Sequence, residues 1–562
     1  MTTSLKTAPS RELVARAEVR LFGLFLQAAH REAMLPQERF REEGGTLSWC
    51  SGELSLKVPG QSYAGGQRLR VSALAEEDGR RLSFEESLAK VGALSGWSGS
   101  DKLWRAAVEE MQDGVAVQAA AYQAALERPE PSNWQTYECW TPEGHNLHPG
   151  AKTRGGFSEG DQHAYSPDFA LALELPWISV DKSLLLTSGE VPELFDLGDR
   201  WALPVHPWQR REILPKVYAE EWESGAIQDL DRPKVEATLS TSLRTVAPVD
   251  PELPILKLSV GSLMTSTERS MSRHTVLQGP VFSEILRRVF ERKPAWSSDV
   301  ELMDELGGLC WREPDAPNGR SRQLSLLFRR RPEIPDGWTA VPSSSLPQPC
   351  GENLDSRLWR EFFSRGEGPI ANFRRYCELL IPLHLGLMTE AGIALEAHLQ
   401  NCLVLWSEER PEALWVRDWG GLRADSHRIE ALFPDLWPSL DPDSLTLTDG
   451  VKARRKLLAN LYSNHLTEVV VGLCEEFGLA ESVLWKVVKE ISAVSLESAQ
   501  DSELALDILQ RPWPVKSLLR LRLGAEGEDY RTLTNPLSDV NLLVTSSLDS
   551  VQASPIDSAR FT

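Results

Sequence analysis

Two polar clusters, one on each side of a short apolar spacer, carry the most chemistry in this sequence. Glu396-Ala397-His398-Leu399-Gln400-Asn401 is followed by Arg417-Asp418-Trp419-Gly420-Gly421. Between them Cys402–Trp406 (CLVLW) reads as a strand, 407–412 (SEERPE) as a turn and 413–416 (ALWV) as the returning strand. Symmetric pairing about that turn would set Asn401 opposite Asp418 at the open end of the hairpin. A carboxylate beside a carboxamide oxygen suits Mg²⁺, which takes hard oxygen ligands and completes its shell with water and phosphate. Protein kinases place an Asn and an Asp around a hairpin for this purpose. A solvated polar hairpin mouth is the plain alternative.

Four further clusters lie upstream. His145, His148, Lys152 and Arg154 fall within ten residues, among glycines that let backbone approach a ligand, and form a candidate anion site. The His-x-x-His spacing has no Cys or carboxylate at a usual zinc spacing, and a cationic surface turn is the other reading. Ser240-Thr241-Ser242-Leu243-Arg244-Thr245 precedes Ile255-Leu256-Lys257-Leu258, where Lys257 interrupts an apolar strand. Its ammonium must find an anion, such as ATP phosphates, or snorkel from an edge strand. Thr265-Ser266-Thr267-Glu268-Arg269 follows a turn at Gly261. If it opens a helix, Thr265 and Arg269 share a face at the end that favours phosphate. His206-Pro207-Trp208-Gln209, set in apolar sequence, reads as a buried structural histidine.

These clusters need elements to position them. The 562 residues exceed one core and suggest three or four domains or lobes, with an ordinary globular 41% hydrophobic and 25% charged residues. The formal net charge of −21 disfavours nucleic acid and anionic lipid. Seven cysteines without paired short spacings argue against a disulfide framework and for a reducing compartment, the cytoplasm. No apolar run is long enough to span a membrane. Residues 11–34 read as an amphipathic helix capped by Ser10 rather than a signal peptide. Residues 44–66 could form a hairpin, and 127–132 break the helical pattern at a candidate boundary. Five of the ten histidines fall between 133 and 330, among short strand-like runs. Residues 329–349, rich in proline and serine, read as an exposed connector. A helix through Phe373, Tyr376, Leu380, Leu383 and Leu387, kinked at Pro382 and ended near Gly392, would feed the hairpin. Residues 451–525 look helical, and 545–562 a loose tail.

The ordered set is His-x-x-His-Pro-x-x-Lys-x-Arg, His-Pro-Trp-Gln, Ser-x-Arg-Thr, Lys then Thr-x-x-x-Arg, Glu-Ala-His-x-Gln-Asn and Arg-Asp-x-x-Gly. It resembles the NRPS-independent siderophore (NIS) synthetases, the IucA/IucC family, from about Asn133 to Gly421. The resemblance implies an α+β fold of three parts: an N-terminal thumb (1–130), β-rich fingers (131–340) and a helical, distantly kinase-like palm (341–562). It implies ATP between fingers and palm, adenylation of citrate or a citrate-derived acid with release of pyrophosphate, and displacement of AMP by an amine or alcohol. Carried onto matching positions, Ser242, Arg244, Lys257, Thr265 and Arg269 would hold the triphosphate with Lys152 and Arg154 nearby. His398 and Arg269 would face the carboxylate, and Asn401 and Asp418 would hold Mg²⁺. Small-molecule acids and amines or alcohols are then the partners, and a homodimer is compatible with it. Asn146 departs from the family pattern, where proline follows the first histidine, so the role of His145 stays open. A small-molecule kinase and a non-catalytic nucleotide or carboxylate binder remain the alternatives.

Overall fold

The computed structural model describes residues 8–264, 267–293, 298–314, 319–497, 501–525, 529–538 and 540. The expected tail, 545–562, and Thr265 lie outside the described residues.

The Arg11–Arg31 helix begins where its sequence says it should, with Leu13 N donating to Ser10 Oγ at 3.3 Å. Its apolar stripe, including Leu21, Phe25 and Ala28, packs with Leu88 of the Phe84–Leu94 helix and Trp104 of the Lys102–Glu127 helix. The same core takes the inner face of a sheet built on the hairpin Thr46–Ser51 and Leu54–Tyr63, so the expected hairpin is present.

An eight-stranded antiparallel sheet follows, in the order Leu185–Gly189, Glu305–Trp311, Ser325–Arg329, Ile255–Leu258, Thr245–Pro248, Ile227–Leu239, Ala172–Asp181 and Arg200–Pro204. Leu239, Val246, Leu256 and Phe328, opposite one another on neighbouring strands, pack in one core cluster on it. The Arg273–Glu291 helix, capped by Ser272, packs on it with Val276 beside Leu327. Lys257 is thus on an interior strand, not an edge.

The Cys402–Trp406 and Pro411–Val416 hairpin sits in a four-stranded sheet between Thr339–Pro342 and Val300–Leu302, the latter pairing in parallel. The Pro369–Ala391 helix, with Pro382 inside it, ends at Gly392 in the left-handed region (φ 68°) and delivers the chain toward the hairpin. Helices Gly450–Leu457, Thr467–Phe477, Glu481–Glu497 and Ser502–Leu509 complete this part, with a π-helical turn at Leu458–Leu466. Strands segregated from helices, paired mainly antiparallel, make the class α+β.

Two expectations are corrected. The 329–349 segment is not an exposed connector: Thr339–Pro342 is an edge strand, and Ser343, Ser345 and Leu346 are fully buried. Its polar side chains are spent inside, Ser345 Oγ donating to Tyr137 O (2.7 Å) and Tyr376 Oη donating to Ser343 Oγ (2.7 Å). Proline is tolerated because an edge strand needs ladder donors on one side only. Residues 451–525 are not helical throughout: after Leu509, Trp513–Lys516 is a strand paired with Tyr530–Leu533, followed by the short Leu519–Arg522 helix.

Candidate functional site

Between the eight-stranded sheet and the hairpin mouth opens a cleft of about 250 Å³, lined by Ser242, Arg244, Lys257, Arg269, His398, Asn401 and Asp418 among others. Those seven were singled out in the sequence. Arg322, Arg329, Arg417, Gln400 and Glu396 share the lining.

The strand Ile255–Leu258 is buried along its whole length, so Lys257 (2% exposed) can reach polar surroundings only at the cleft. There its Nζ donates to Asp418 Oδ1 at 2.7 Å. Arg329, opposite Ile255 on the next strand, brings Nη2 to 3.7 Å from Asp418 Oδ2 and 3.4 Å from Glu305 Oε1. Burial would raise the Asp418 pKa, but Lys257, then Arg329 and Arg244, hold it well below the usual carboxylate range. Burial lowers the Lys257 pKa despite Asp418, and raises that of Glu305 despite Lys257 and Arg329. Asp418 also adopts φ 72°, ψ 90°, rare for a residue with a Cβ, with its side chain accepting from Gly420 N at 3.3 Å. Such strain is held where surrounding structure over-determines it, most often at functional sites.

Asn401 and Asp418 do not face each other. The turn closes two residues early, with Trp406 opposite Pro411, and an irregularity between Leu405 and Trp406 restores only one of them, so the ladder pairs Cys402 with Val416 and Arg417 N donates to Asn401 O at 3.1 Å. Both side chains still reach the cleft. Asn401 Nδ2 donates to Glu396 O (3.2 Å), and among the described residues nothing donates to its Oδ1. Arg417 turns aside to a buried pair with Glu138 and to Gln400 O (2.9 Å).

Arg269 is not on a helix. Thr267–Arg269 is a strand returning along Val260–Met264, with Val260 opposite Arg269. The alternating burial of Val260–Met264 favours a hairpin over a helical start. Arg244 clamps that return, its Nη1 donating to Arg269 O (2.9 Å) and Ser270 O (2.6 Å). Burial, then Arg269, pushes the Arg244 pKa down to about 10; burial and then Arg154 lower that of Arg269.

His398 precedes the short Leu399–Asn401 helix, with Nε2 3.7 Å from Glu396 Oε2. Glu396 Oε1 accepts from Lys456 Nζ at 2.6 Å; burial would raise the Glu396 pKa, but Lys456 and His398 together hold it well below the usual carboxylate range. A Cβ on Gly421 would stand 2.1 Å from Glu396 Oε2, so a larger residue there would displace the carboxylate from this position. From the π-helical turn His465 Nδ1 donates to Ala397 O (3.1 Å) and supports the turn from behind.

Lys152 lies away from the cleft lining. Its ammonium is fully buried and donates to Asp168 Oδ1 (2.7 Å) and Thr141 O (2.7 Å), while Arg154 Nη2 donates to Asp168 Oδ2 (2.9 Å). Burial brings the Lys152 pKa down to about 8 although Asp168 opposes it. Lys152 therefore braces the 141–154 loop, and Arg154 reaches the cleft only as a charge near Arg269. His145 Nδ1 accepts from Leu147 N and His148 N (both 3.0 Å), and His148 Nδ1 accepts from Gly150 N (2.9 Å), which fixes both protons on Nε2. Among the described residues no group of three or more His, Cys, Asp or Glu is arranged to hold a metal, so the zinc reading of His-x-x-His has no support. His206 is buried in an aromatic setting with Phe157 and Tyr165, as the sequence suggested.

Lys456, Arg322 and Arg329 escaped the sequence reading of the site, and Glu396 was singled out there without a role. Ser325–Arg329 is buried throughout, a signal that Arg329 ends a core strand instead of starting a connector. Lys456 lies 60 positions beyond Glu396, and no local pattern joins them.

Residues 133–348 match the model of the IucA / IucC family, and residues 372–531 that of the ferric iron reductase FhuF-like transporter. Over residues 133–348 the chain is similar to the IucA / IucC family. It is 27% identical to staphyloferrin A synthase of Staphylococcus aureus over 433 residues, 71% of this chain and 72% of that protein. It is 26% identical to the D-ornithine–citrate ligase of the same organism, over 62% of this chain and 59% of that one. Its fold matches the petrobactin biosynthesis protein AsbB of Bacillus anthracis (TM-score 0.81, 20% identity, 94% of this chain and 96% of that one). It also matches ATP-bound aerobactin synthetase IucA of Klebsiella pneumoniae (TM-score 0.75, 18% identity, 92% of this chain and 99% of that one).

Proposed function

We propose that this protein adenylates citrate or a citrate-derived acid with ATP and condenses the acyl-adenylate with an amine or alcohol, releasing pyrophosphate and then AMP. One observation carries the reading. In a chain of net charge −21, Arg244, Lys257, Arg269, Arg322 and Arg329 converge on one cleft beside Asp418. Attack of a carboxylate on an α-phosphate brings anions together, and a pre-organised cluster of buried cations is what such a step requires. Names of relatives, staphyloferrin A synthase and D-ornithine–citrate ligase, support the same chemistry.

In this reading Ser242, Arg244 and Lys257 face the triphosphate and Arg269 lies between phosphate and acid. His398, steadied by Glu396, faces the carboxylate being activated. Asp418 and the unengaged Oδ1 of Asn401 fit Mg²⁺, since two oxygen donors leave positions for water and phosphate. When bound, the ion supplies charge neutralisation at the phosphates. The N-terminal helices and six-stranded sheet would be the thumb, the eight-stranded sheet the fingers, and the helical remainder a kinase-like palm.

Incubation with ATP, Mg²⁺ and a panel of di- and tricarboxylic acids tests the reading. Citrate or a close relative should yield AMP and pyrophosphate, and hydroxylamine should trap a hydroxamate. ADP with a phosphorylated acid would establish a kinase instead.

A further inference from the structure

The two walls of the cleft belong to different sheets, yet one buried carboxylate holds both. Glu138 closes the short Trp134–Glu138 helix, which Asn133 caps by accepting from Thr136 N (3.0 Å) and Ser345 Oγ anchors at Tyr137 O (2.7 Å). Only 2% of Glu138 is exposed. On one side its Oε2 accepts from Thr241 N (3.2 Å) and Thr241 Oγ1 (3.0 Å), inside the 240–245 segment that carries Ser242 and Arg244. On the other side Arg417 straddles it, Nη1 donating to Oε1 and Nη2 to Oε2 (3.2 Å).

Arg417 carries the tie onward. Its Nε and Nη2 donate to Gln400 O (3.2 and 2.9 Å), and its backbone N donates to Asn401 O (3.1 Å). Four of the five guanidinium N–H groups are engaged in this way, so Arg417 lines the cleft with its donors turned into the protein. Burial would raise the Glu138 pKa, but Arg417, then Thr241, hold it below the usual carboxylate value. A buried ion pair is a poor device for stability alone, since well-packed apolar side chains of similar volume hold a fold as well or better. What a forked pair supplies and apolar packing does not is a fixed distance and angle.

We infer that Glu138 and Arg417 are positioning residues: they fix the Ser242–Arg244 loop against the His398–Asn401 turn, so that nucleotide, acid and metal held by opposite walls meet in register. The roles of the two walls rest on the adenylation reading, and neither positioning residue touches the reacting atoms in it. Each wall keeps its own ligand contacts without the tie. Loss of the tie should therefore fall on kcat rather than KM, because misplacement by about 1 Å can cost on the order of a hundred-fold in rate.

Two variants of the full chain test this. Arg417→Lys keeps the buried positive charge but offers one nitrogen where the tie needs a fork. Thr241→Val cuts the opposite arm at its hydroxyl and leaves every charge in place. Each is assayed with ATP, Mg²⁺ and the acid that the panel selects, well below its melting temperature. ATP turnover is scored as AMP plus ADP, so the tie is tested whichever bond breaks, and AMP against ADP from the unmodified protein decides the adenylation reading separately. Arg417→Lys should lower kcat about ten-fold or more and Thr241→Val about three-fold, with ATP KM within about two-fold in both. The double variant should be little slower than Arg417→Lys, because both substitutions break one tie. A role confined to stability would lower the melting temperature and leave kcat per folded molecule at the parent value. That result in both variants, or kcat losses that multiply in the double variant, would overturn the inference. Thr241→Val, which strands no charge, decides the matter by itself should Arg417→Lys not fold.

Discussion

Asp418 concentrates the local energetics at the scale of single residues. It accepts from Lys257 and sits near Arg329, in a backbone conformation that costs of order 1–3 kcal/mol. Asp418→Asn keeps the shape and deletes the charge that balances two buried cations. Pyrophosphate release should fall by about a hundred-fold or more, and its Mg²⁺ dependence should weaken. Asn401→Ala should do less, because water can replace a carboxamide oxygen. Titration of Mg²⁺ against each variant is the check, and an unaltered metal requirement in Asp418→Asn would place the metal elsewhere. Residue types at this site could be read from the sequence. Their pairing could not: Asn401 proved to face Arg417, because a turn two residues shorter than the sequence suggested, with one irregular residue beside it, shifts every partner.

Helices behind the site hold imidazoles that must stay neutral. His384 of the Pro369–Ala391 helix and His465 of the π-helical turn are buried, as is His206, and burial pushes each pKa down to about 3. Their folded values lie below the unfolded value of about 6.5, so between those limits the unfolded chain binds more protons and stability falls as pH falls. At pH 5.5 each should cost about 1.4 kcal/mol relative to neutral pH, a large part of a typical stability. His384 has no partner for either ring nitrogen among the described residues. Urea unfolding of His384→Leu at pH 7.5 and 5.5 should therefore show a loss about 1.4 kcal/mol smaller than the parent's. Equal losses would mean that His384 titrates normally in the folded protein. The helix itself was legible from Phe373 to Leu387, because its apolar period and Gly392 are local signals; that His384 would be sealed was not.

At the scale of the whole molecule, the two ends of the chain are tied together. Glu32, just past the first helix, accepts from Leu518 N (2.7 Å), Leu519 N (2.8 Å) and Arg520 N (2.7 Å), and Arg522 pairs with Glu110. Glu32→Ala leaves one buried and two part-buried donors unmet, which should cost about 2 kcal/mol and open residues 513–525 to limited proteolysis. An unchanged cleavage pattern and melting temperature would show that the tie is dispensable. One continuous core likewise joins Leu13 and Tyr122 to Phe373, Tyr462 and Trp513. The sequence by itself determined the order of the motifs, the strand holding Lys257 and the hairpin ending at Asn401 and Asp418, because alternation, caps and turn residues act over a few positions; the α+β class came from the family resemblance. Tertiary structure alone decided that Lys152 braces a loop against Asp168, that Lys456 holds Glu396 beside His398 and that 339–342 is a buried edge strand rather than part of a connector. Each of these depends on which distant segments a buried charge or strand edge meets, and that is fixed by packing the whole chain, not by any local spacing.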